Sequence, residues 1–254
     1  MPKGAAGGLR REESEETQVK FVIEQSIFEA LPTLCVGVVA AKGIDNGRPY
    51  PAVEQLLDEA IAHAEERFSG KRVKEEPEIL PYRAAFQALG INPNKYMCSI
   101  EALFTRIAKG KGMPHINPLV DLNNAVSLLY TLPMGTHDLS LSEEDIVLRY
   151  AKAGDSFLPF GADAEEAPEA GEIVYAVGNQ VRTRRWTWRQ SEHGKIDAHT
   201  GYVFFPIDGF VGENDDKVRA AADRLDALLR EQFSCRTVKG FVDREHPEMS
   251  LRIE

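Results

Sequence analysis

The sequence predicts an α+β protein in which a mixed or antiparallel sheet packs against helices. Two observations favour this class: short, β-branched apolar runs occur near both ends of the chain, and apolar residues recur at helical spacing in its middle. The chain has no internal repeat and no Gly/Ser linker within its body. The simplest division is therefore a flexible tail over residues 1–18 and one domain over residues 19–254.

The first half of the chain begins with strands and continues with helices. Short strands are predicted over residues 20–23 and 33–40, because both runs are apolar and rich in β-branched residues. Helical spacing, with Gly and Pro at the ends, predicts helices over residues 52–68, 82–89, 99–108 and 118–132. The last helix is apolar almost all round, so it should be central, with Asp121 and Asn124 buried and hydrogen-bonded.

The second half of the chain has the composition of strands. These are predicted over residues 146–150, 172–177, 181–189 and 202–207. The acidic stretch over residues 163–169 predicts an exposed loop. A last amphipathic helix is predicted over residues 218–233, followed by a short strand and an extension over residues 236–253.

Charge and cysteine content argue against several classes of protein. The 254 residues include 40 acidic and 30 basic ones, and the net charge of −10 argues against sequence-blind binding to nucleic acid, DNA included. Cys35, Cys98 and Cys235 lie far apart, which indicates buried, reduced thiols of a cytoplasmic protein rather than a zinc site or a disulfide framework. No apolar run approaches the ~20 residues of a membrane span, so no membrane partner is predicted.

Common catalytic motifs are missing from the sequence. It contains no Gly-rich phosphate loop, no Gly-x-Gly-x-x-Gly after a strand, no His-Glu-x-x-His and no Gly-x-Ser-x-Gly. Redox, kinase-type and triad-hydrolase functions are therefore disfavoured. No metal site and no cofactor are predicted.

A first segment with chemical potential covers residues 113–138. It joins the central helix to a Pro-Met-Gly-Thr turn that is followed by His137 and Asp138. Asp121 and Asn124 fall about one helical turn apart and share a face. Their side chains either brace neighbouring backbone, as buried polar residues usually do, or belong to a site.

A second segment, over residues 181–195, places both tryptophans of the chain among four arginines. In a single strand, alternation would put Arg182, Arg184, Trp186 and Trp188 on one side and Arg185 and Arg189 on the other. Arginines beside aromatic rings are typical of surfaces that stack bases and pair phosphates. The alternative is that the rings belong to the core and that the arginines are solvated or pair with nearby acids.

Taken together, these segments resemble the B3/B4 domain of the phenylalanyl-tRNA synthetase β subunit. That family has a Val-Asp-x-Thr-Asn element followed by a Gln-Pro-x-His element. Here Val-Asp-Leu-Asn-Asn at residues 120–124 is followed at a similar distance by Leu-Pro-Met-Gly at residues 132–135. The resemblance covers residues 19–229 in order and implies a single B3/B4-like domain.

The resemblance also implies a function. In the synthetase this domain holds the editing site, where tyrosine wrongly attached to the tRNA is hydrolysed, so this chain is expected to deacylate mischarged tRNA. Two positions differ from the family's elements: the Thr is Asn123 here, and the His falls on Gly135, with His137 two residues beyond. The acidic residue that reads the tyrosine hydroxyl falls near Pro206, with Asp208 close by.

The expected site residues follow from this reading. An aminoacyl ester is already activated, so a positioned water and donors for the developing oxyanion suffice. The predicted catalytic residues are Asn123 and Arg189 as donors and His137 as a base. The predicted substrate-binding residues are Asp121, Asn124, Gly135, Asp138, Arg184, Trp186 and Trp188, and the predicted RNA contacts are Arg182 and Arg185. One cleft is expected between residues 123–124, the turn 133–138 and the segment 184–189.

Two further functions stay open at this point. One is a non-catalytic module that binds tRNA or a small amino-acid-like ligand in a diverged pocket, and the other is a scaffold with a vestigial pocket. The expected partner is aminoacylated tRNA, bound weakly or with another protein's help because of the acidic net charge. Deacylation assays on mischarged tRNAs separate the editing function from these alternatives.

Overall fold

A computed structural model describes residues 19–253, and the expected tail over residues 1–18 lies outside this range. The described residues form six helices and ten strands. The helices are α1 (Gln25–Ala30), α2 (Pro51–Phe68), α3 (Leu80–Ala88), α4 (Ser99–Ala108), α5 (Pro118–Tyr130) and α6 (Asp215–Phe233). The strands are β1 (Lys20–Ile23), β2 (Leu34–Lys42), β3 (His137–Asp138), β4 (Ile146–Tyr150), β5 (Ile173–Val177), β6 (Gln180–Arg184), β7 (Arg189–Gln190), β8 (Tyr202–Phe210), β9 (Arg236–Val242) and β10 (Glu248–Ser250).

The strands form two sheets. One has six strands in the order β10-β1-β4-β5-β6-β7, and it is mixed because β1 and β4 run parallel. The other has four antiparallel strands in the order β3-β8-β2-β9. The predicted α+β class, with mixed and antiparallel sheet packed against helices, is confirmed.

Strand β2 lies between two layers of the core. Val36 and Val38 face the larger hydrophobic cluster, which also contains residues of the six-stranded sheet, whereas Val39 faces the cluster formed with α5 and α6. The strand is therefore apolar on both faces, as its sequence predicts. Helix α6 packs so closely on β2 that a Cβ at Gly37 would lie 2.8 Å from Val218 Cγ1.

Helix α5 begins at a capped end and is largely buried. The Asn117 side chain accepts a hydrogen bond from the Val120 backbone N–H, which satisfies one free donor of the first turn. Asp121 is buried and hydrogen-bonded, as predicted. The corresponding prediction for Asn124 is wrong: Val120 and Asn124, one turn apart, are both half-buried, and the Asn124 side chain makes no hydrogen bond with residues 19–253.

The segment over residues 181–189 is a hairpin, and the prediction of one strand is wrong. Strand β6 ends at Arg184, and β7 pairs back on it through the register Arg184↔Arg189. Between them Arg185 and Trp186 adopt left-handed backbone angles, with φ of 46° and 61°. Left-handed residues cannot continue a pleated strand, so the expected alternation of side chains over this segment does not occur.

The remaining differences concern short elements and the C-terminal segment. Helix α1 and strand β3 are missed by periodicity because they have six and two residues. The segment expected to form one strand and an extension forms β9 and β10 instead. The three cysteines are buried and free, as predicted. No helix in residues 19–253 is long and apolar enough to cross a membrane.

Candidate functional site

The hairpin between β6 and β7 carries Trp186 into the interior. Its backbone N–H donates to Ile173 O over 2.7 Å, and the neighbouring Thr187 carbonyl accepts from Ser99 N, at the start of α4, over 2.8 Å. Left-handed angles at residues other than Gly cost of order 1–3 kcal/mol each, and contacts of this kind are what hold such a turn. The Trp186 side chain is completely buried.

A cavity of about 80 Å³ lies beside this turn. Its walls come from the hairpin, the segment around β3, the start of α4, and strands β5 and β8. The lining residues are Ser99, Met134, Gly135, His137, Tyr175, Thr183, Trp186, Thr187, Trp188, Arg189, Gln190, Pro206 and Asp208. This volume is well below the ~300–1,000 Å³ of pockets for drug-sized ligands, so the cavity suits a group of a few heavy atoms.

Asp208 supplies a carboxylate to the cavity from strand β8. Its Oδ1 accepts hydrogen bonds from Tyr175 Oη at 2.7 Å and from Trp186 Nε1 at 2.6 Å. No residue in the described range donates to Oδ2, so this oxygen is available to a ligand. Burial raises the pKa of Asp208 from 3.8 to about 7, against the opposing effect of the two hydrogen bonds. Burial therefore favours the neutral carboxyl group over the carboxylate.

His137 borders the same cavity and is also buried. Its ring stacks against Tyr175 and Phe204, with centroid distances of 5.6 and 5.8 Å. Burial, with a smaller effect from the Arg182 charge, lowers the pKa of His137 to about 3. The imidazole is thus neutral at pH 7, with one donor and one acceptor nitrogen.

Several polar atoms around the cavity are buried without a hydrogen-bond partner among the described residues. They are both ring nitrogens of His137, Ser99 Oγ and Thr187 Oγ1. Most buried polar side-chain atoms in proteins have a partner, so several such atoms on residues that line one cavity call for an explanation. They belong to residues that line the cavity with Asp208, so the cavity is bordered by side chains that carry both donors and acceptors.

Comparison with known proteins shows the family of this chain. The family model of the B3/4 domain matches residues 81–253, which include every residue that lines the cavity. The chain belongs to the B3/4 domain family. The resemblance seen in the sequence is thereby confirmed at the level of the family.

Solved structures similar to this B3/4 protein include one of low sequence identity. It is the crystal structure of an N-terminal fragment of the phenylalanyl-tRNA synthetase β subunit from Pyrococcus horikoshii, with 11% sequence identity and a TM-score of 0.47. The match covers 92% of this chain and 57% of the fragment, so this chain spans little more than half the length of that relative. No curated protein matches the sequence.

The B3/4 cavity contains some of the predicted site residues. Gly135, His137, Trp186, Trp188 and Arg189 line it together, which joins the turn after α5 to the hairpin as expected. Arg189 is exposed at the rim, and its guanidinium lies 5.9 Å from the centre of the Trp188 ring.

The residues predicted from helix α5 do not reach the cavity, and the expected boundary at residues 123–124 is wrong. Asp121 Oδ2 lies 2.8 Å from His115 Nδ1, and its Oδ1 accepts from Ile116 N, so this carboxylate braces the loop before α5. Asn123 is buried, and its Oδ1 has no partner in the described range. The roles predicted for Asn123 and Asn124 stay untested, but both residues lie away from the cavity lining.

Asp138 and Arg184, also predicted to bind substrate, stabilise segments that border the cavity but do not themselves line it. Asp138 accepts from the Ser140 backbone N–H and from the Thr200 hydroxyl, which holds the loop before β8. Arg184 makes two hydrogen bonds with Glu172, at 2.9 and 2.6 Å, and both side chains are buried. Neither residue lines the cavity.

The arginines predicted to contact RNA point into the protein. Arg185 is 4% exposed, forms ion pairs with Glu169 and Glu172, and lies 3.9 Å from the centre of the Tyr96 ring. Arg182 is 8% exposed, and burial lowers its pKa. Contact of Arg182 and Arg185 with RNA stays a prediction, and it would require a phosphate to displace protein groups that already surround these side chains.

Eight of the thirteen lining residues were not among the predicted site residues, and four of these eight carry the polar groups described above. Asp208 entered only through the family resemblance, although it is the one charged residue in the apolar run of β8 and could have been found on that ground. Tyr175, Ser99 and Thr187 have no comparable signal, because each reaches the cavity only through the pairing of distant elements.

Proposed function

We propose that this B3/4 domain hydrolyses the ester bond of a mischarged aminoacyl-tRNA and holds the amino-acid side chain in the cavity. The observation that carries the proposal is the Asp208 carboxylate, which lines an aromatic cavity and whose Oδ2 receives no hydrogen bond from the described residues. Membership of the B3/4 family supports the same class of substrate. Because the cavity is small, the side chain it accepts should be short and polar.

Asp208 is proposed to recognise the side chain. Two hydrogen bonds fix the orientation of its carboxylate, and the free Oδ2 can accept a hydrogen bond from a ligand hydroxyl. A site that is built to hydrogen-bond a hydroxyl discriminates strongly against an analogue that lacks it, because buried polar groups are then left unpaired. This role agrees with the acidic, hydroxyl-reading position that the family resemblance puts near Pro206.

Hydrolysis itself is proposed to rest on a positioned water and on hydrogen-bond donors. The hydroxyls of Ser99 and Thr187 and the N–H of neutral His137 are the buried groups available to a developing oxyanion. A pKa of about 3 makes His137 a weak general base at neutral pH, since a general base works best with a pKa near the working pH. His137 therefore serves as a donor and positions water in this scheme.

The proposal is tested by a deacylation screen of the purified chain against a panel of mischarged tRNAs. Asp208→Asn removes the proposed reader, and Asp163→Asn, in the exposed acidic loop, is a matched control. We expect the parent and Asp163→Asn to release the same amino acid at equal rates. Asp208→Asn should lose at least tenfold in kcat/KM for that amino acid while its activity on other esters is retained. Equal loss on every ester would make Asp208 a base instead of a reader.

A second candidate is a non-catalytic module that binds an amino-acid-like ligand. The observation that favours it is the distance of Asn123 and Asn124 from the cavity, which leaves fewer donors for catalysis than the sequence led us to expect. Titration calorimetry with free amino acids and their amides distinguishes the two. Binding that depends on Asp208, with no deacylation of any mischarged tRNA, would establish the second function and overturn the first.

A further inference from the structure

We infer that a basic groove between the 3₁₀ turn Val73–Glu75, α3 and α4 binds the phosphates of RNA beside the cavity. The groove has a volume of about 710 Å³. Its basic lining residues are Lys71, Arg72, Lys74, Arg83 and Lys109, against the single acid Glu101. In a chain with a net charge of −10, this concentration of positive charge on one surface is the electrostatic pattern expected of a nucleic-acid contact.

Most of this positive charge is available to a ligand. Lys71, Lys74 and Lys109 are exposed, and none of them forms an ion pair with a residue in the described range. Arg72 pairs only with the exposed Glu75, at 3.1 Å, and such surface pairs are weak and easily exchanged. The groove therefore differs from the hairpin, where the buried carboxylate of Glu172 already pairs with both Arg184 and Arg185.

Arg83 and Glu101 form the rigid wall of the groove. Arg83 Nη1 lies 2.5 Å from Glu101 Oε1 and also donates to the Pro93 carbonyl, while its Nη2 donates to the Asn94 side chain. These bonds tie the loop between α3 and α4 to both helices. The loop backbone is thereby held in place next to the exposed lysine side chains.

The same loop connects the groove to the cavity. Pro93, Asn94 and Met97 line the groove, and Tyr96 between them packs edge-on against Trp188, with a ring-centroid distance of 4.8 Å. Trp188 in turn lines the cavity. A single RNA strand could thus place phosphates in the groove and a base against the half-buried Tyr96 and Trp188 rings, since aromatic side chains stack bases without regard to sequence.

Which RNA binds in the groove depends on the proposed function, whereas the inference that the groove binds RNA phosphates does not. If the cavity holds the amino acid of an aminoacyl-tRNA, the strand that carries it must leave along a neighbouring surface. The groove is the charged surface that shares a loop with the cavity rim. We therefore assign it to the single-stranded 3′ end of the tRNA.

Fluorescence anisotropy with labelled, uncharged tRNA and with a short single-stranded RNA tests the groove without any hydrolysis. The variant Lys71→Glu/Lys74→Glu reverses two groove charges. The control Arg224→Glu/Arg244→Glu reverses two exposed charges on α6 and after β9, with the same change in net charge. We expect the groove variant to bind at least tenfold more weakly and to reduce the slope of log affinity against log salt by about 1.4, that is about 0.7 per lost phosphate contact. The control should bind within twofold of the parent.

The outcomes separate this inference from the proposed function. Equal affinity and equal salt slope for the parent and the groove variant would overturn the groove assignment. It would also be overturned if the parent bound neither of the two RNAs. A third contrary outcome is that an acidic peptide of the same charge displaces the labelled RNA at the same concentration as unlabelled RNA does. An unchanged KM of the groove variant in deacylation would also overturn the groove assignment while leaving the proposed function intact. Loss of RNA binding in the groove variant, in a protein that deacylates nothing, would support the groove and reject the hydrolase.

Discussion

Trp186 donates its indole N–H to Asp208 Oδ1 over 2.6 Å, and this bond joins the left-handed turn after β6 to the C-terminal part of β8. The Asp208 carboxylate, which lines the cavity, therefore also holds Trp186, whose left-handed turn forms one of the cavity walls. Tyr175 completes the arrangement from the six-stranded sheet, because its hydroxyl donates to the same oxygen.

Substitution of Trp186 by Phe should destabilise the fold and change the titration of Asp208. The buried Oδ1 keeps one donor, from Tyr175, and loses the other, which typically costs about 1–3 kcal/mol. The hydrogen bond from Trp186 opposes the raised pKa of Asp208, so its loss should raise that pKa further. Urea unfolding at pH 7 measures the first effect. Trp188→Phe is the control, because the Trp188 ring is half-buried and makes no hydrogen bond with Asp208. This substitution should therefore destabilise the fold less and leave the pKa of Asp208 unchanged.

The pH dependence of stability should reveal Asp208 and His137 as opposing groups. The folded-state pKa of Asp208 is raised to about 7, so its contribution is complete below pH 3.8 and is lost as the pH rises through 7. The folded-state pKa of His137 is lowered to about 3, so its contribution is complete above pH 6.5 and is lost as the pH falls through 3. Between about pH 4 and 6.5 the two effects cancel in large part.

Single variants should separate these contributions. The difference in unfolding free energy between the parent and Asp208→Asn should fall with rising pH over that window, by up to about 1.4 kcal/mol per unit for one proton. The difference between the parent and His137→Phe should rise with pH over the same window. Urea titrations at half-unit steps of pH measure both. A difference without a slope would show that its group titrates normally, and two slopes of the same sign would show that one of the two pKa shifts has the opposite direction.

The fold was predictable from sequence where local pattern decides it. Apolar periodicity predicts α2 over residues 52–68, and the helix covers Pro51–Phe68. The hairpin at residues 181–189 was not predictable in this way, because its alternation of Arg and Trp is compatible with one strand. The left-handed angles at Arg185 and Trp186 depend on bonds to Ile173 and Asp208, which lie in other strands.

The site was predictable in part, for the same reason. His137, Gly135 and the hairpin residues lie in segments whose composition is unusual, and the structure brings them together. Asn123 and Asn124 were placed by analogy with a linear motif, but the direction of each side chain depends on how α5 sits against its neighbours. Tyr175 meets Asp208 only because the two sheets face each other, and no spacing along the chain encodes that contact.

Loss of the Glu172 charge should destabilise the hairpin strongly. This carboxylate pairs with both Arg184 and Arg185, and all three side chains are buried. Removing one partner of a buried ion pair typically costs about 3–5 kcal/mol, because the remaining charge is left uncompensated. Glu172→Gln should therefore lower the unfolding free energy by several kcal/mol. Glu169→Gln, which removes the exposed partner of Arg185, should change it by less than about 1 kcal/mol. Equal effects of the two variants would show that the buried network contributes little.

A methyl group at Gly135 should obstruct the cavity while leaving the fold stable. A Cβ at this position would lie 3.2 Å from Pro206 Cγ and 3.4 Å from His137 Nε2, and both of those residues line the cavity. The backbone of Gly135 is outside the left-handed region, so Ala is compatible with its conformation. We expect Gly135→Ala to fold, with an unfolding free energy lower by at most about 1–3 kcal/mol, and to lose at least tenfold in ligand affinity or in kcat/KM. Gly201→Ala, whose Cβ would lie 3.6 Å from Ile44 O and away from the cavity lining, is the control and should retain both. Full activity of Gly135→Ala would show that the ligand binds elsewhere, because the added methyl group would occupy the space beside His137 and Pro206.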